Sequence, residues 1–129
     1  MLSFEIHSQD GQPIYLQIVN SVKKSISAGE LVAGQKLPSV REIAREIKVN
    51  PNTVHKAINL LVEERLLTTK RGLGCFVRKR RPSSITERLQ ALEPLIDHLI
   101  VEAAHHGLND LELLKLIGSR QKRIYGLKR

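Results

Sequence analysis

The sequence predicts a mainly α-helical protein with a small β-wing: a winged helix-turn-helix followed by an α-helical hairpin. Three observations carry this. Apolar residues recur at helical spacing in three short segments of the N-terminal half. The second and third segments are separated only by Lys48-Val49-Asn50, the layout of a helix-turn-helix, and two β-prone stretches joined by glycines follow them. Beyond Pro82 the pattern changes to two helical stripes broken at Gly107. The expected boundaries are therefore a winged helix-turn-helix over residues 1–82 and a helical segment over residues 83–129.

The elements follow in order. Asp10-Gly11 marks a turn, and Pro13 opens a helix whose Ile14, Ile18, Val22 and Ile26 repeat every four residues until Gly29. Residues 30–38 read as a connector with room for a short strand. Ser39-Val40-Arg41-Glu42 is a capping box, in which serine and glutamate side chains satisfy each other's backbone amides. It starts a short helix to Ile47, with Val40, Ile43, Ala44 and Ile47 inward. Asn50 is a favoured N-cap and Pro51 a favoured first residue, so a third helix runs over about residues 51–64. Val54, Ile58, Leu61 and Val62 point inward, with Ala57 beside them.

On the opposite face of that third helix, Asn52, His55, Lys56 and Asn59 fall at i, i+3, i+4 and i+7. A solvated surface is the ordinary reading of such a face. This one has no carboxylate, is rich in amides and begins at the second helix of a helix-turn-helix. Amides can pair with adenine, and histidine and lysine can donate to guanine or phosphate, so base recognition is the stronger reading. Leu66-Leu67-Thr68-Thr69 and Cys75-Phe76-Val77 then form the wing around Lys70-Arg71-Gly72-Leu73-Gly74, where the basic pair points at a phosphate or a minor groove.

Composition narrows the classes. The net charge is +8, of which residues 1–82 carry +7, residues 83–117 carry −4 and residues 118–129 carry +5. A basic body suits a polyanion. Only Phe4, Tyr15, Phe76 and Tyr125 are aromatic, too few to stack successive bases of a single strand. The single cysteine, Cys75, excludes an internal disulfide framework and a cysteine-based zinc finger. No apolar run approaches the ~20 residues of a membrane span, and the N-terminus lacks the pattern of a signal peptide, so the expectation is a cytoplasmic protein that does not engage a membrane. No nucleophile–base pair, phosphate loop or catalytic carboxylate constellation is present, and no enzyme activity or cofactor is expected.

Taken together, Pro13-Ile14-Tyr15-Leu16-Gln17-Ile18, Gly34 through Leu37-Pro38-Ser39-Val40-Arg41-Glu42-Ile43-Ala44, Val49-Asn50-Pro51-Asn52-Thr53-Val54 and Arg71-Gly72-Leu73-Gly74-Cys75-Phe76-Val77 closely resemble the GntR family of bacterial transcription regulators over residues 11–78. The resemblance implies that Arg41, in the Leu-Pro-Ser-x-Arg segment with Ser39, lies at the DNA surface. It implies that Asn50, Asn52, Thr53, His55 and Lys56 enter the major groove, and that Gly72 approaches the minor groove. Lys48 and Arg65 stand where the family usually has glycine, which puts the turn and the end of the third helix in question. His55 and Lys56 replace residues that are often serine or arginine, so no operator sequence carries over.

Only 47 residues follow Pro82, which resembles the YtrA-type subfamily with its two dimerisation helices. The residues agree. Ser84-Ile85-Thr86-Glu87 is a second capping box, and Ile85, Leu89, Leu92, Ile96, Leu99 and Ala103 make a heptad seam, widened by Leu95 and Ile100 and kinked at Pro94. Asn109 caps the last helix with Glu112, Leu108 can staple onto Leu113, and Leu111, Leu114 and Ile117 supply a buried face. Packing against the chain's own winged helix is the alternative to dimerisation for this hairpin. The expectation is a homodimeric repressor on a double-stranded DNA operator with inverted-repeat half-sites. The YtrA-type resemblance adds a transporter operon containing the protein's own gene as target; no small-molecule effector is named by the sequence.

Two other classes stand beside this one. One is a nucleoid-type or protein-interaction winged helix without sequence preference. The other is a metal- or redox-responsive sensor: His98, Glu102, His105 and His106 lie at i, i+4, i+7 and i+8, and Cys75 sits near basic groups that can lower its pKa. The set lacks a strong chelating pattern, so a wet outer face is the plainer reading and no metal site is expected. A small buried strand residue is the plainer reading of Cys75. Arg78-Lys79-Arg80-Arg81 adds phosphate contacts beside the wing, while Arg120, Lys122, Arg123, Lys128 and Arg129 either cap a helix end or lie free.

Overall fold

A computed structural model describes residues 4–7, 11–79 and 83–126. Asp10 of the expected first turn, Arg80 and Arg81 of the basic run, and Lys128 and Arg129 of the tail lie outside the described residues. The chain divides into two compact units, Met1–Arg80 and Arg81–Arg129. The described part is mostly helical with one small antiparallel sheet.

The first unit holds α1 (Ile14–Ser27), α2 (Val40–Ile47), α3 (Pro51–Glu63), β1 (Leu67–Lys70) and β2 (Gly74–Val77). Its core is built from the inner stripes of the three helices: Ile18 and Val22 of α1, Ile43 of α2, and Val54 and Leu61 of α3 are fully buried, joined by Leu37 and Leu67. Val40, Ile47 and Val62, expected inside, are only partly buried at its margin. The strands pair in the register Leu67↔Val77 through Lys70↔Gly74. Leu66 is absent from β1 because its N–H bonds the Leu61 carbonyl at 3.0 Å to close α3, leaving its carbonyl to accept from Arg78 at 2.9 Å. The connector does form a third extended rung. Lys36 pairs antiparallel with Phe76, and bonds from Gly34 to Val77 (2.8 Å) and from Leu37 to Cys75 (2.9 Å) lay it along β2.

A buried glutamine ties the N-terminal lead-in to this core. Gln17 is 5% exposed; its Oε1 accepts the His7 N–H at 2.7 Å, and its Nε2 donates to the His7 and Gln12 carbonyls, each at 2.9 Å. Three bonds replace the water a buried amide would lose.

Helix ends show how the two departures from glycine are accommodated. α1 ends on Gly29 and α3 on Arg65 with the same bond pair, running from the left-handed residue and its successor back to carbonyls of the last turn. At α2 the left-handed residue is Lys48, with φ 57 and ψ 50, and Val49 closes onto Ala44 at 3.1 Å. The turn and the cap therefore keep the shape that glycine favours, but Lys48 and Arg65 adopt it with a Cβ that crowds the following carbonyl.

Cys75 lies half-buried on β2 against the core. Burial pushes its thiol above the ordinary range, outweighing the hydrogen bond from the Phe76 amide that favours thiolate. This is the small strand residue packed against the core, not the activated thiol that a redox sensor would need: desolvation dominates.

The second unit holds α4 (Ile85–His105) and α5 (Asp110–Tyr125). Ser84 caps α4 by accepting the Glu87 N–H at 3.1 Å, but among the described residues the Glu87 carboxylate does not return the bond, so the expected capping box is half-formed. α4 runs through Pro94 without ending. Gly107 terminates it, and Asn109 with Glu112 forms a complete capping box at α5, with bonds of 2.8 and 2.9 Å. The apolar seam is a different matter. Ala103 is the only buried residue of α4, and α5 buries none; Leu111 and Leu114, expected on a buried face, are 61% and 64% exposed and Ile117 is 36% exposed. α4 and α5 pack little against each other, so the wide apolar arc on each stays open.

Two predictions follow from these local features. Lys48→Gly and Arg65→Gly should each stabilise the protein by up to about 1 kcal/mol, the left-handed penalty less the added freedom of glycine in the unfolded chain, measured as a raised midpoint in urea unfolding. Cys75 should react with iodoacetamide more slowly than free cysteine at about pH 8 and accelerate when the fold is melted in denaturant; a rate equal to or above that of free cysteine would contradict the desolvated thiol.

Candidate nucleic-acid interface

The surface opposite the core of α3 is set by how that helix starts. Lys48 turns the backbone, Asn50 accepts the Asn52 N–H on its Oδ1 at 2.8 Å, and Pro51 presets the first helical dihedral. With Val54, Ala57, Ile58 and Leu61 buried, Asn52, His55, Lys56 and Asn59 are placed outward, and all four are exposed. Among the described residues the side chains of Asn52, His55 and Asn59 make no hydrogen bond, so their donors and acceptors face solvent. Thr53 is half-buried. Asn50 is exposed, but its oxygen serves as the cap, which leaves its –NH2 as the group directed outward. No acidic residue lies in the first turn of α3; Glu64, beyond its far end, pairs with Lys23 at 3.0 Å.

α2 brings a second set of groups. Ser39 and Glu42 form the expected box, with both bonds at 3.1 Å. The Ser39 hydroxyl accepts from the Glu42 amide and keeps its own hydrogen for an outside acceptor. The Ser39 amide holds the Glu42 carboxyl below its ordinary range, so the acid stays ionised and turned into the cap. Arg41, in the first turn of α2, is exposed.

In the wing, Leu73 N–H bonds the Lys70 carbonyl at 2.8 Å, and Gly72 has φ 76 with open space around it. Positive φ at the third position is the mark of a type II turn, so glycine is needed there for its backbone rather than for room. The Lys70 ammonium sits 4.8 Å from the Phe76 ring centroid, while Arg71, Gly72 and Leu73 are exposed. The structure thus brings the α3 residues to one helix face and holds Ser39 with Arg41 at the start of α2, in the same compact unit as the wing tip.

The histidines of α4 are not brought together as a metal site. His106 lies 3.8 Å from Glu102, and its ring meets His105 edge-on at 5.6 Å. Among the described residues no group of three histidine, cysteine, aspartate or glutamate side chains is placed to hold a metal ion, so His98, Glu102 and His105 do not converge.

Sequence reasoning overlooked two residues of the first unit. Gln17 is the pin described above, signalled only by a polar residue between Leu16 and Ile18 in an otherwise apolar stripe. Tyr15 carries the Lys56 ammonium 4.0 Å from its ring centroid, a contact between helices that no spacing rule reveals.

The comparisons with known proteins meet this geometry directly. Residues 14–77 match the model of the "Bacterial regulatory proteins, gntR family". The HTH-type transcriptional repressor YtrA of Bacillus subtilis is 35% identical over 113 residues, covering 87% of this chain and 85% of that protein. A crystal structure described as a transcriptional antiterminator from Listeria monocytogenes EGD-e superposes with a TM-score of 0.84 at 32% identity, over 98% of this chain and 96% of that one. AraR(DBD), solved in complex with operator ORX1, superposes with a TM-score of 0.53 at 30% identity, over 57% of this chain and 95% of that one. The match reaches from Ile14 through the wing, and the YtrA similarity extends over most of the chain. The chain belongs to the GntR family and is a YtrA-like winged-helix transcriptional regulator, DNA-binding rather than enzymatic.

Proposed function

We propose that the protein is a repressor that binds an inverted-repeat operator as a homodimer, with residues 1–82 reading DNA and residues 83–129 joining the subunits. The observation that carries this reading is the outward face of α3: exposed amides, a histidine and a lysine, with no carboxylate in its first turn. In this reading Asn52, His55 and Asn59 address base edges, and Thr53, the Asn50 –NH2 and Lys56 flank them. Ser39, Arg41, Lys70 and Arg71 hold phosphates, and Gly72 lets the wing backbone approach the minor groove. The operator-bound state of AraR(DBD) and the repressor name of YtrA support the same direction. The YtrA likeness extends the proposal to a transporter operon that includes the protein's own gene. Binding DNA places the protein in the cytoplasm; no helix among the described residues is long and apolar enough to cross a membrane.

The exposed apolar faces of α4 and α5 support the dimer. Leu89, Leu92, Ile96 and Leu99 of α4 and Leu111 and Leu114 of α5 are all exposed, from 38% to 64%. Apolar faces of this extent call for a partner, and a second copy places two reading helices on half-sites about 34 Å apart. Ala103, on the same seam, is 7% exposed within the chain. Because tight binding needs both half-sites at once, any change in the spacing or mobility of the two winged helices alters affinity.

A winged helix without sequence preference is separated from this reading by comparing random duplex with duplex selected from a random pool at one salt concentration. The operator reading expects a ratio of at least about a thousand, and a ratio near unity removes it. Asn52→Ala should cost about 1–3 kcal/mol and relax preference at one base pair; uniform weakening on every sequence would mean that the recognition face lies elsewhere. Leu92→Glu should convert the dimer to a folded monomer in sedimentation, since Leu92 is 51% exposed in the single chain and contributes little to its core. An unchanged sedimentation coefficient would exclude the α4 face from the interface.

A further inference from the structure

Lys56 projects from the outward face of α3, yet its ammonium is drawn to the ring of Tyr15 on α1, 4.0 Å from the centroid. This is well inside the range in which an ammonium is attracted to the negative face of an aromatic ring. Among the described residues no carboxylate forms an ion pair with it; Glu64 pairs with Lys23 and Glu5 with Lys24. Tyr15 is itself half-buried and packed against the core, so the ring is a fixed platform rather than a second mobile side chain.

We propose that Tyr15 is a positioning residue for DNA binding: its ring holds the Lys56 ammonium at the α1 side of α3, set for a phosphate of the DNA backbone. The proposal deepens the operator reading and rests on it for the placement of α3. A free lysine spreads its charge over many rotamers and loses that freedom when it contacts a phosphate. Here part of the loss is taken on folding, so the contact forms with less entropy left to lose. The ring occupies one side of the ammonium only, and its N–H groups on the other side remain available as donors. Phosphate is the better match than a base. Lys56 is drawn to the Tyr15 ring on α1, and a compact ammonium acts as a point charge without the paired geometry that reads a base edge.

The test is a double-mutant cycle on the full-length protein, with affinity for the pool-selected duplex measured across a salt series. Lys56→Met should lower the salt slope by about one, with equal effect on every sequence. Tyr15→Leu should weaken binding about two- to fivefold while leaving the slope in place, because the charge remains but is no longer held. Tyr15→Phe keeps the ring and should bind like the wild type. In the Lys56→Met background, Tyr15→Leu should cost nothing further. Thermal unfolding of each variant identifies the folded fraction, so that any loss of packing at Tyr15 is kept apart from lost binding. Additive losses in the double variant overturn the proposal, as does a Tyr15→Phe loss equal to that of Tyr15→Leu, which would assign the role to the hydroxyl. A Lys56→Met variant that keeps the slope and shifts preference at one base pair overturns it too. Absence of sequence preference in the wild type would sink the operator reading alone, since the cycle reads a phosphate contact and runs equally on random duplex.

Discussion

The left-handed backbone at Lys48 is the constraint on which the reading surface depends. Three residues separate α2 from α3, and a connection so short must reverse the chain, close one helix and start the next. Lys48 and Val49 close α2 onto Ala44, and Asn50 immediately caps α3. The direction of α3, and with it the exposure of Asn52, His55 and Asn59, is inherited from that one dihedral pair. A non-glycine residue holds the conformation between two helices anchored by buried residues, Ala44 on one side and Val54 on the other.

Much of this was legible from the residues. Helix starts were the clearest, because Ser39, Asn50, Ser84 and Asn109 each act on an amide two or three positions away, and short-range chemistry leaves a short-range trace. The inner stripes of α1 and α3 were legible for the same reason, since helical period alone sets which residues share a face. What escaped was long-range. Gln17 bonds His7 ten residues away, Lys36 pairs with Phe76 forty residues on, and Tyr15 meets Lys56 from another helix. Cys75 was legible as a small strand residue, but the size of its burial, which raises its pKa despite nearby basic residues, is a property of the packed core. The faces of α4 and α5 were read correctly as apolar, but the claim that Leu111, Leu114 and Ile117 are buried needed a partner that the single chain does not supply.

The uneven charge acquires a structural meaning from the two units. Most of the basic excess over residues 1–82 resides in the unit that carries α3 and the wing, while the acidic stretch over residues 83–117 lies along α4 and α5. Within the basic unit, Glu5, Glu42 and Glu64 are each engaged by a lysine or a cap, which reduces the repulsion that loose carboxylates would exert on a polyanion. Two lysines, Lys56 and Lys70, rest on aromatic rings at 4.0 and 4.8 Å, so two of the chain's four aromatic residues serve to place positive charge.

The lack of internal hydrogen bonds on Asn52, His55 and Asn59 has a meaning for descent as well as for recognition. These side chains contribute almost nothing to the core, so a duplicated copy of this regulator can exchange them one at a time without approaching the threshold of unfolding. Sequence preference can therefore drift along lineages while the scaffold stays constant. Lys56 is the exception on that face: replacing it leaves Tyr15 without its cation, which couples its drift to a second helix and makes it the slower position to change.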